Sequence, residues 1–274
     1  MYPTLHFAGR DISTYGIMTL LGMAAVFVLM AIRFRISKKN YNDEAYLLAF
    51  CFIFSPVGAI LLYQITILPT TLKYIKYLFT DFSTFSEHFS FGMVYYGGLF
   101  GLIFGACIFS KVFKKDARDL FGETAIGIPL FHVFGRIGCF LAGCCYGMES
   151  EKYGICFKNA VNIPNDIPFL PIQLYEAAGN FIIFLILLFI YKKNRRKLSS
   201  LGLYFVLYGV MRFVFEIFRG DEIRGIWGPF STSQWISIFL VPLGIFCLVA
   251  KDDKNFLGKR LNHSAKNASC DSEQ

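Results

Sequence analysis

The sequence predicts an all-α membrane protein with seven transmembrane helices, its N-terminus outside and its C-terminus cytoplasmic. Three observations carry that reading. Of 274 residues, 55% are hydrophobic and only 17% charged, against roughly 25% charged in an average soluble domain. The apolar residues, 32 of them Phe, gather into seven continuous blocks near the roughly 17–25 residues that a helix needs to cross a bilayer. The basic residues alternate from one connection to the next. A mean hydropathy of +0.51 excludes soluble, disordered, collagenous and disulfide-scaffold classes, because a soluble fold of this length has too little interior to hide so much apolar surface.

The blocks are Gly16–Phe34, Ala45–Leu68, Gly92–Phe113, Glu123–Tyr146, Ile172–Tyr191, Leu201–Phe218 and Gln234–Ala250. Barrel strands are excluded, since these run about 9–11 residues with strict alternation. Only Arg10 precedes the first block, whereas Arg33, Arg35, Lys38 and Lys39 follow it. It therefore reads as an uncleaved span rather than a signal peptide, which carries its basic residues in front. Between the second and third blocks, Pro69–Phe91 is rich in Tyr and Phe and reads as an interfacial segment lying on the membrane. Gly147–Pro171 is a second external elaboration. Residues 1–250 form the transmembrane domain, and 251–274 a polar cytoplasmic tail of disordered composition. No internal repeat of the kind that builds inverted-repeat transporters is visible.

Basic residues give the orientation. Connections after the first, third, fifth and seventh blocks hold 18 Lys and Arg, the alternate side holds 7, and Arg136 and Arg212 lie inside blocks. Basic loops stay cytoplasmic. The net charge of +8 is thus accounted for by topology and by attraction to anionic lipid headgroups, and no nucleic-acid partner is expected.

Ionisable side chains inside a span cost about 2.5–3.5 kcal/mol each on insertion scales, which makes them functional candidates. The fourth block carries His132 and Arg136 at i, i+4, with Cys139 and Gly143 continuing the face. The fifth opens with Gln173, Tyr175 and Glu176, and the sixth carries Arg212, Glu216 and Arg219 as one stripe. A purely structural ion-pair network, Glu216 with Arg212 and Glu176 with Arg136, is the plain alternative to a binding site. Arg136 has no acid at i±3 or i±4 on its own helix, and Arg suits bidentate capture of phosphate. His132 is either a base or an interhelical hydrogen-bonding residue. Gly97, Gly101 and Gly105 have small-xxx-small packing spacing. Tyr96 ahead of the Gly97–Gly98 pair sets a hydroxyl where bare backbone lets a ligand approach.

The Cys139-x4-Cys144-Cys145 run is not a zinc spacing and has no His in register, so neither a metal nor a cofactor is expected. Cys144, Cys145 and Cys156 fall toward the outer face, where a disulfide is open to them; a reactive thiolate is the other alternative.

The run Gly135-Arg136-Ile137-Gly138-Cys139-Phe140-Leu141-Ala142-Gly143-Cys144-Cys145-Tyr146-Gly147 resembles the G-R-x-G-N-F-x-N-G-E-x-x-G motif of bacterial prolipoprotein diacylglyceryl transferases. Pro171-Ile172-Gln173-Leu174-Tyr175-Glu176 looks like that family's H-P-S-Q-L-Y-E segment. Tyr208-Gly209 with Arg212, Glu216 and Arg219 looks like its Y-G-x-x-R-x-x-x-E-x-x-R stretch. Tyr96-Gly97-Gly98-Leu99 stands where the family has H-G-G-L, Tyr15-Gly16 where it has a Tyr-Gly, and Gln234 in an S-x-x-Q segment. The matches run in order from Tyr15 to Gln234.

The resemblance implies seven spans and a multi-pass enzyme of the bacterial cytoplasmic membrane. It implies transfer of the diacylglyceryl group of phosphatidylglycerol to the lipobox Cys thiol in the signal peptide of a prolipoprotein, with release of glycerol phosphate. Arg136, Arg212, Tyr96 and Glu216 would then be catalytic. Arg136, Tyr15, Gly97, Gly98, Gln173, Tyr175, Glu176 and Arg219 would bind phosphatidylglycerol. This chain departs from the pattern where the family's His is Tyr96, its two motif Asn are Cys139 and Ala142, its motif Glu is Cys144 and its second His is Leu170. Those departures leave two alternatives open: a phospholipid-dependent transferase with another donor or acceptor, and a non-catalytic lipid-binding or transport protein.

Overall fold

The computed structural model describes residues 2–7, 10–37, 41–74, 76–81, 94–115, 122, 124–158, 160, 167–191, 199–220 and 226–250. The tail and the side chains of Tyr95 and Tyr96 lie outside the described residues. Helices dominate, as the apolar blocks require: α1 (Thr14–Ser37), α2 (Tyr41–Thr66), α3 (Leu68–Tyr74), α4 (Tyr77–Thr80), α5 (Tyr95–Val112), α6 (Gly127–Ala142), α7 (Ile172–Tyr191), α8 (Ser199–Ile217) and α9 (Thr232–Val249). Helices α1, α2, α7, α8 and α9 are long and apolar enough to cross a membrane, while α5 and α6 contribute shorter apolar stretches. The two small helices α3 and α4 occupy the aromatic segment, with Lys73 and Lys76 ammoniums over the rings of Tyr74 and Tyr77.

The all-α expectation needs one correction. Three antiparallel two-stranded ribbons lie outside the helices, one ahead of α1 and two between later helices: β1 (Thr4–Phe7) with β2 (Arg10–Ser13), β3 (Ile155–Cys156) with β4 (Pro168–Phe169), and β5 (Ile226–Trp227) with β6 (Phe230–Ser231). Pairing their own strands satisfies backbone groups that no helix supplies.

Neighbouring helices run antiparallel. Gly138 of α6 meets Tyr15 and Met18 at the start of α1, whereas Gly127 meets Val26 and Met30 further along. On α7, Glu176 faces Arg136 and Arg212, while Ile183, Phe184 and Leu187 join Ile126, Tyr204, Phe205 and Tyr208 in the core between α6, α7 and α8. Helices α8 and α9 close at Gly202 and Gly244, each of which abuts the other's backbone carbonyl. Helix α2 packs on α5, where Gly97 and Gly101 lie against α2 backbone and Gly105 against Phe50 and Phe54. Missing side chains let these two backbones approach closely.

The fourth predicted span, Glu123–Tyr146, is shorter as a helix. Gly143 adopts φ 71°, and the amides of Gly143 and Cys144 bond back to the carbonyls of Phe140 and Cys139 at 3.2 and 3.0 Å. This left-handed cap ends α6. Non-helical backbone at such a place is stable where its polar groups are satisfied inside protein. Gly147 N–H bonds to Leu170 O, Met148 N–H to Phe218 O and Gly220 N–H to Tyr146 O, which sews the loop to the ends of α7 and α8. Buried Phe157 and Phe169 pin the β3–β4 ribbon beside it.

Packing at the glycines is directly testable. A side chain at Gly101 must displace α2 backbone, so Gly101→Leu should lower stability by roughly 1–3 kcal/mol in detergent melts. A Cβ at Gly135 meets nothing within 4 Å, so Gly135→Ala should hold or raise it by up to about 1 kcal/mol.

Candidate active site

Three helices meet at one carboxylate. Glu176, in the first turns of α7 and only 2% exposed, receives Arg136 Nε of α6 on Oε2 and Arg212 Nη1 of α8 on Oε1, both at 2.5 Å. Arg212 Nη2 also reaches Glu216 Oε2 at 2.8 Å, one turn on along α8, and donates to Ser233 Oγ of α9 at 3.0 Å. Arg219, just past the end of α8, stands 3.9 Å from Glu216 Oε2. The network is wider than the two pairs expected from the sequence, because Glu176 serves both arginines.

Charge counting gives the cluster its chemistry. Three guanidiniums (Arg136, Arg212, Arg219) face two carboxylates (Glu176, Glu216), which leaves a surplus positive charge among these five. Charge buried without compensation is costly, so an anionic ligand fits the cluster better than a neutral one. Arg136 is the most accessible of the five, its side chain 17% exposed against 10% or less for the others. It is the guanidinium placed to meet such a ligand.

The surrounding residues sort into roles. Gln173 is fully buried one turn before Glu176, and its Nε2 donates to Cys144 O at 2.6 Å, tying α7 to the loop after α6. Tyr15 lies on α6 at Gly138, close to Arg136. Tyr175 stands on the other face of α7, 44% exposed, outside this buried cluster, because adjacent helix residues point about 100° apart. Gly97 and Gly98 face α2, where added Cβ atoms would meet Ala59, Leu62 and Ser55, in line with the small-xxx-small spacing of Gly97, Gly101 and Gly105 rather than with backbone bared to a ligand. For Tyr96 only the backbone, in the first turn of α5, is described.

His132 lies a turn deeper than Arg136, stacked on Tyr208 with centroids 5.1 Å apart, and its Nδ1 is 3.4 Å from the Tyr204 hydroxyl. That is an interhelical tie between α6 and α8. Gln234 likewise has a structural part: its Oε1 accepts from Ser231 N–H and its own N–H donates to Ser231 Oγ, a reciprocal capping box that starts α9. Ser233 was missed in the sequence; the signal was there in its place inside that Ser-x-x-Gln cap, which aims the first turn of α9 at Arg212.

All seven cysteines among the described residues are free thiols, so Cys144, Cys145 and Cys156 form no disulfide. The sulfurs of Cys139, Cys144 and Cys145 lie within 4.8 Å of one another, a grouping that the linear spacing concealed.

A helical membrane protein with a buried arginine–carboxylate cluster at one end of its bundle is the class that fold and site define. The model of the prolipoprotein diacylglyceryl transferase family matches residues 3–250. The chain is 34% identical over 240 residues to phosphatidylglycerol–prolipoprotein diacylglyceryl transferase 2 of Clostridium perfringens, covering 86% of this chain and 90% of the relative. It is 32% identical to the Clostridium tetani phosphatidylglycerol–prolipoprotein diacylglyceryl transferase, over 87% and 92% of the two chains. The Campylobacter lari enzyme of that name is 30% identical, over 87% and 89%. The chain belongs to the prolipoprotein diacylglyceryl transferase family.

Glu176 is the element whose removal distinguishes this network from separate ion pairs. Glu176→Gln should cost about 3 kcal/mol in thermal unfolding, since it takes the paired carboxylate from the buried Arg136 and leaves Arg212 to Glu216 and Ser233. Ser233→Ala should cost about 1 kcal/mol, one hydrogen bond's worth.

Proposed function

We propose that this protein transfers the diacylglyceryl group of phosphatidylglycerol to the lipobox Cys thiol of a prolipoprotein, as a seven-span enzyme of the bacterial cytoplasmic membrane with its N-terminus outside. The surplus positive charge of the Arg136–Glu176–Arg212–Glu216–Arg219 cluster carries the reading, because a phosphodiester supplies the missing anion. Antiparallel packing of successive helices supports the seven-span topology, and the names of the relatives support the substrates.

The reaction breaks one C–O bond and forms one C–S bond. The acceptor sulfur attacks the glyceryl carbon that carries the phosphate, and the electron pair of the C–O bond leaves with the phosphate oxygen. The thiol proton ends on the glycerol phosphate released. Charge grows on the departing phosphate, so a cation already oriented toward it lowers the barrier without reorganising. Arg136 and Arg212 fill that part. Glu176 holds both guanidinium planes, and Glu216 with Ser233 fixes the far edge of Arg212.

Tyr96, at the position of the family's His, is the proton carrier in this reading. Its phenolate would take the thiol proton and its phenol would pass that proton to the departing glycerol phosphate. Tyr15, on α6 at Gly138, would flank the bound phosphate beside Arg136. Arg219, at the rim, would receive the glycerol headgroup.

The test is purified protein with phosphatidylglycerol micelles and a synthetic lipobox peptide, scored by mass spectrometry for the diacylglyceryl thioether. Product from the parent protein is expected, falling by at least about 100-fold in Arg136→Ala. Folded protein that retains phospholipid but yields no thioether would contradict the reading.

A further inference from the structure

The family motif places polar residues where this chain has Cys139 and Cys144, and the transfer reaction gives these thiols no part. We propose that Cys139, Cys144 and Cys145 form a three-thiolate binding site for a thiophilic closed-shell cation of the copper(I) kind.

Geometry comes first. The three Sγ atoms lie within 4.8 Å of one another. A three-coordinate ion with metal–sulfur distances of about 2.3 Å sets its sulfurs about 4 Å apart, so shifts of under about 1 Å in side-chain position complete the site. Backbone conformation builds the grouping. Gly143 turns α6 off at φ 71° and Cys145 holds φ 59°, a region that non-glycine residues seldom occupy. Two left-handed residues in three fold Cys144 and Cys145 back toward Cys139, whose carbonyl also receives the Cys144 thiol at 3.6 Å. The Gln173 amide anchors the loop at Cys144 O.

Ligand chemistry selects the ion. Among the described residues, no His, Asp or Glu joins the three sulfurs. Soft thiolates favour copper(I), zinc or iron–sulfur clusters; iron–sulfur clusters take four cysteines and zinc needs a fourth ligand, a water where protein supplies three, whereas copper(I) is satisfied by three thiolates alone. The site is partly buried. Loading releases the thiol protons to solvent and involves no change of oxidation state.

The experiment titrates the full-length protein in detergent, under anaerobic conditions, with copper(I) in competition with a chromogenic copper(I) chelator. One ion per chain is expected, with three sulfur neighbours in X-ray absorption. Each of Cys139→Ser, Cys144→Ser and Cys145→Ser should weaken binding by at least about 100-fold, while Cys107→Ser and Cys247→Ser leave it unchanged. Retention of the ion by the triple Ser variant would overturn the proposal. So would oxidation of the parent protein to a disulfide without metal uptake, or four-ligand zinc binding with copper(I) excluded. The absorption spectrum of the parent protein decides the matter even if a variant fails to fold. Every readout is independent of diacylglyceryl transfer, so the site and the transfer reading succeed or fail separately.

Discussion

Glu176 holds Arg136 through one carboxylate oxygen and Arg212 through the other, and the arrangement of the site depends on that bridge. The three residues come from three helices, so the contact fixes α6, α7 and α8 against one another where their ends meet. Without it, Arg136 would lose its paired carboxylate inside an apolar bundle and Arg212 would be left to Glu216 and Ser233, at a cost of several kcal/mol. With it, both planes are oriented before any ligand arrives. Preorganised charge is what a departing phosphate requires, so in the proposed reaction the same contact would serve both stability and chemistry.

The rest of the bundle supplies what the bridge needs. The apolar core of Ile126, Ile183, Leu187 and Tyr204 lies deeper along the same helices, and His132 stacked on Tyr208 ties α6 to α8 just below the arginines. Beyond them, the loop after α6 is stitched to the ends of α7 and α8, and Gln173 ties it to α7 at Cys144 O. Glycines at the α2–α5 and α8–α9 contacts allow close backbone approach, since dispersion rather than hydrophobicity holds helices together in lipid.

Much of this was legible in the sequence because lipid imposes strong rules. The boundaries of α7 matched the apolar block Ile172–Tyr191 to the residue, and Arg136, Arg212, Glu216 and Glu176 stood out as charges where charge is costly. What the sequence hid was relational. Glu176 looked like the partner of one arginine, but a carboxylate has two oxygens and the fold brings an arginine to each. The C-terminal end of α6 was overrun, because Gly143 is as compatible with a continuing helix as with a left-handed cap. The spacing of Gly97 with Gly101 and Gly105 read as packing while the Tyr96–Gly97–Gly98 run read as ligand approach, and the position of α2 favours packing. The ribbons were missed for a similar reason: two- to four-residue strands carry almost no periodicity.

The most direct measurement of the central claim is a structure of the protein in a lipid nanodisc containing phosphatidylglycerol. A phosphodiester within hydrogen-bonding distance of Arg136, with Glu176 still bridging Arg136 and Arg212, is the predicted result. A headgroup held elsewhere, on the surface lysines or the aromatic segment, with the arginine–carboxylate cluster closed upon itself, would contradict it.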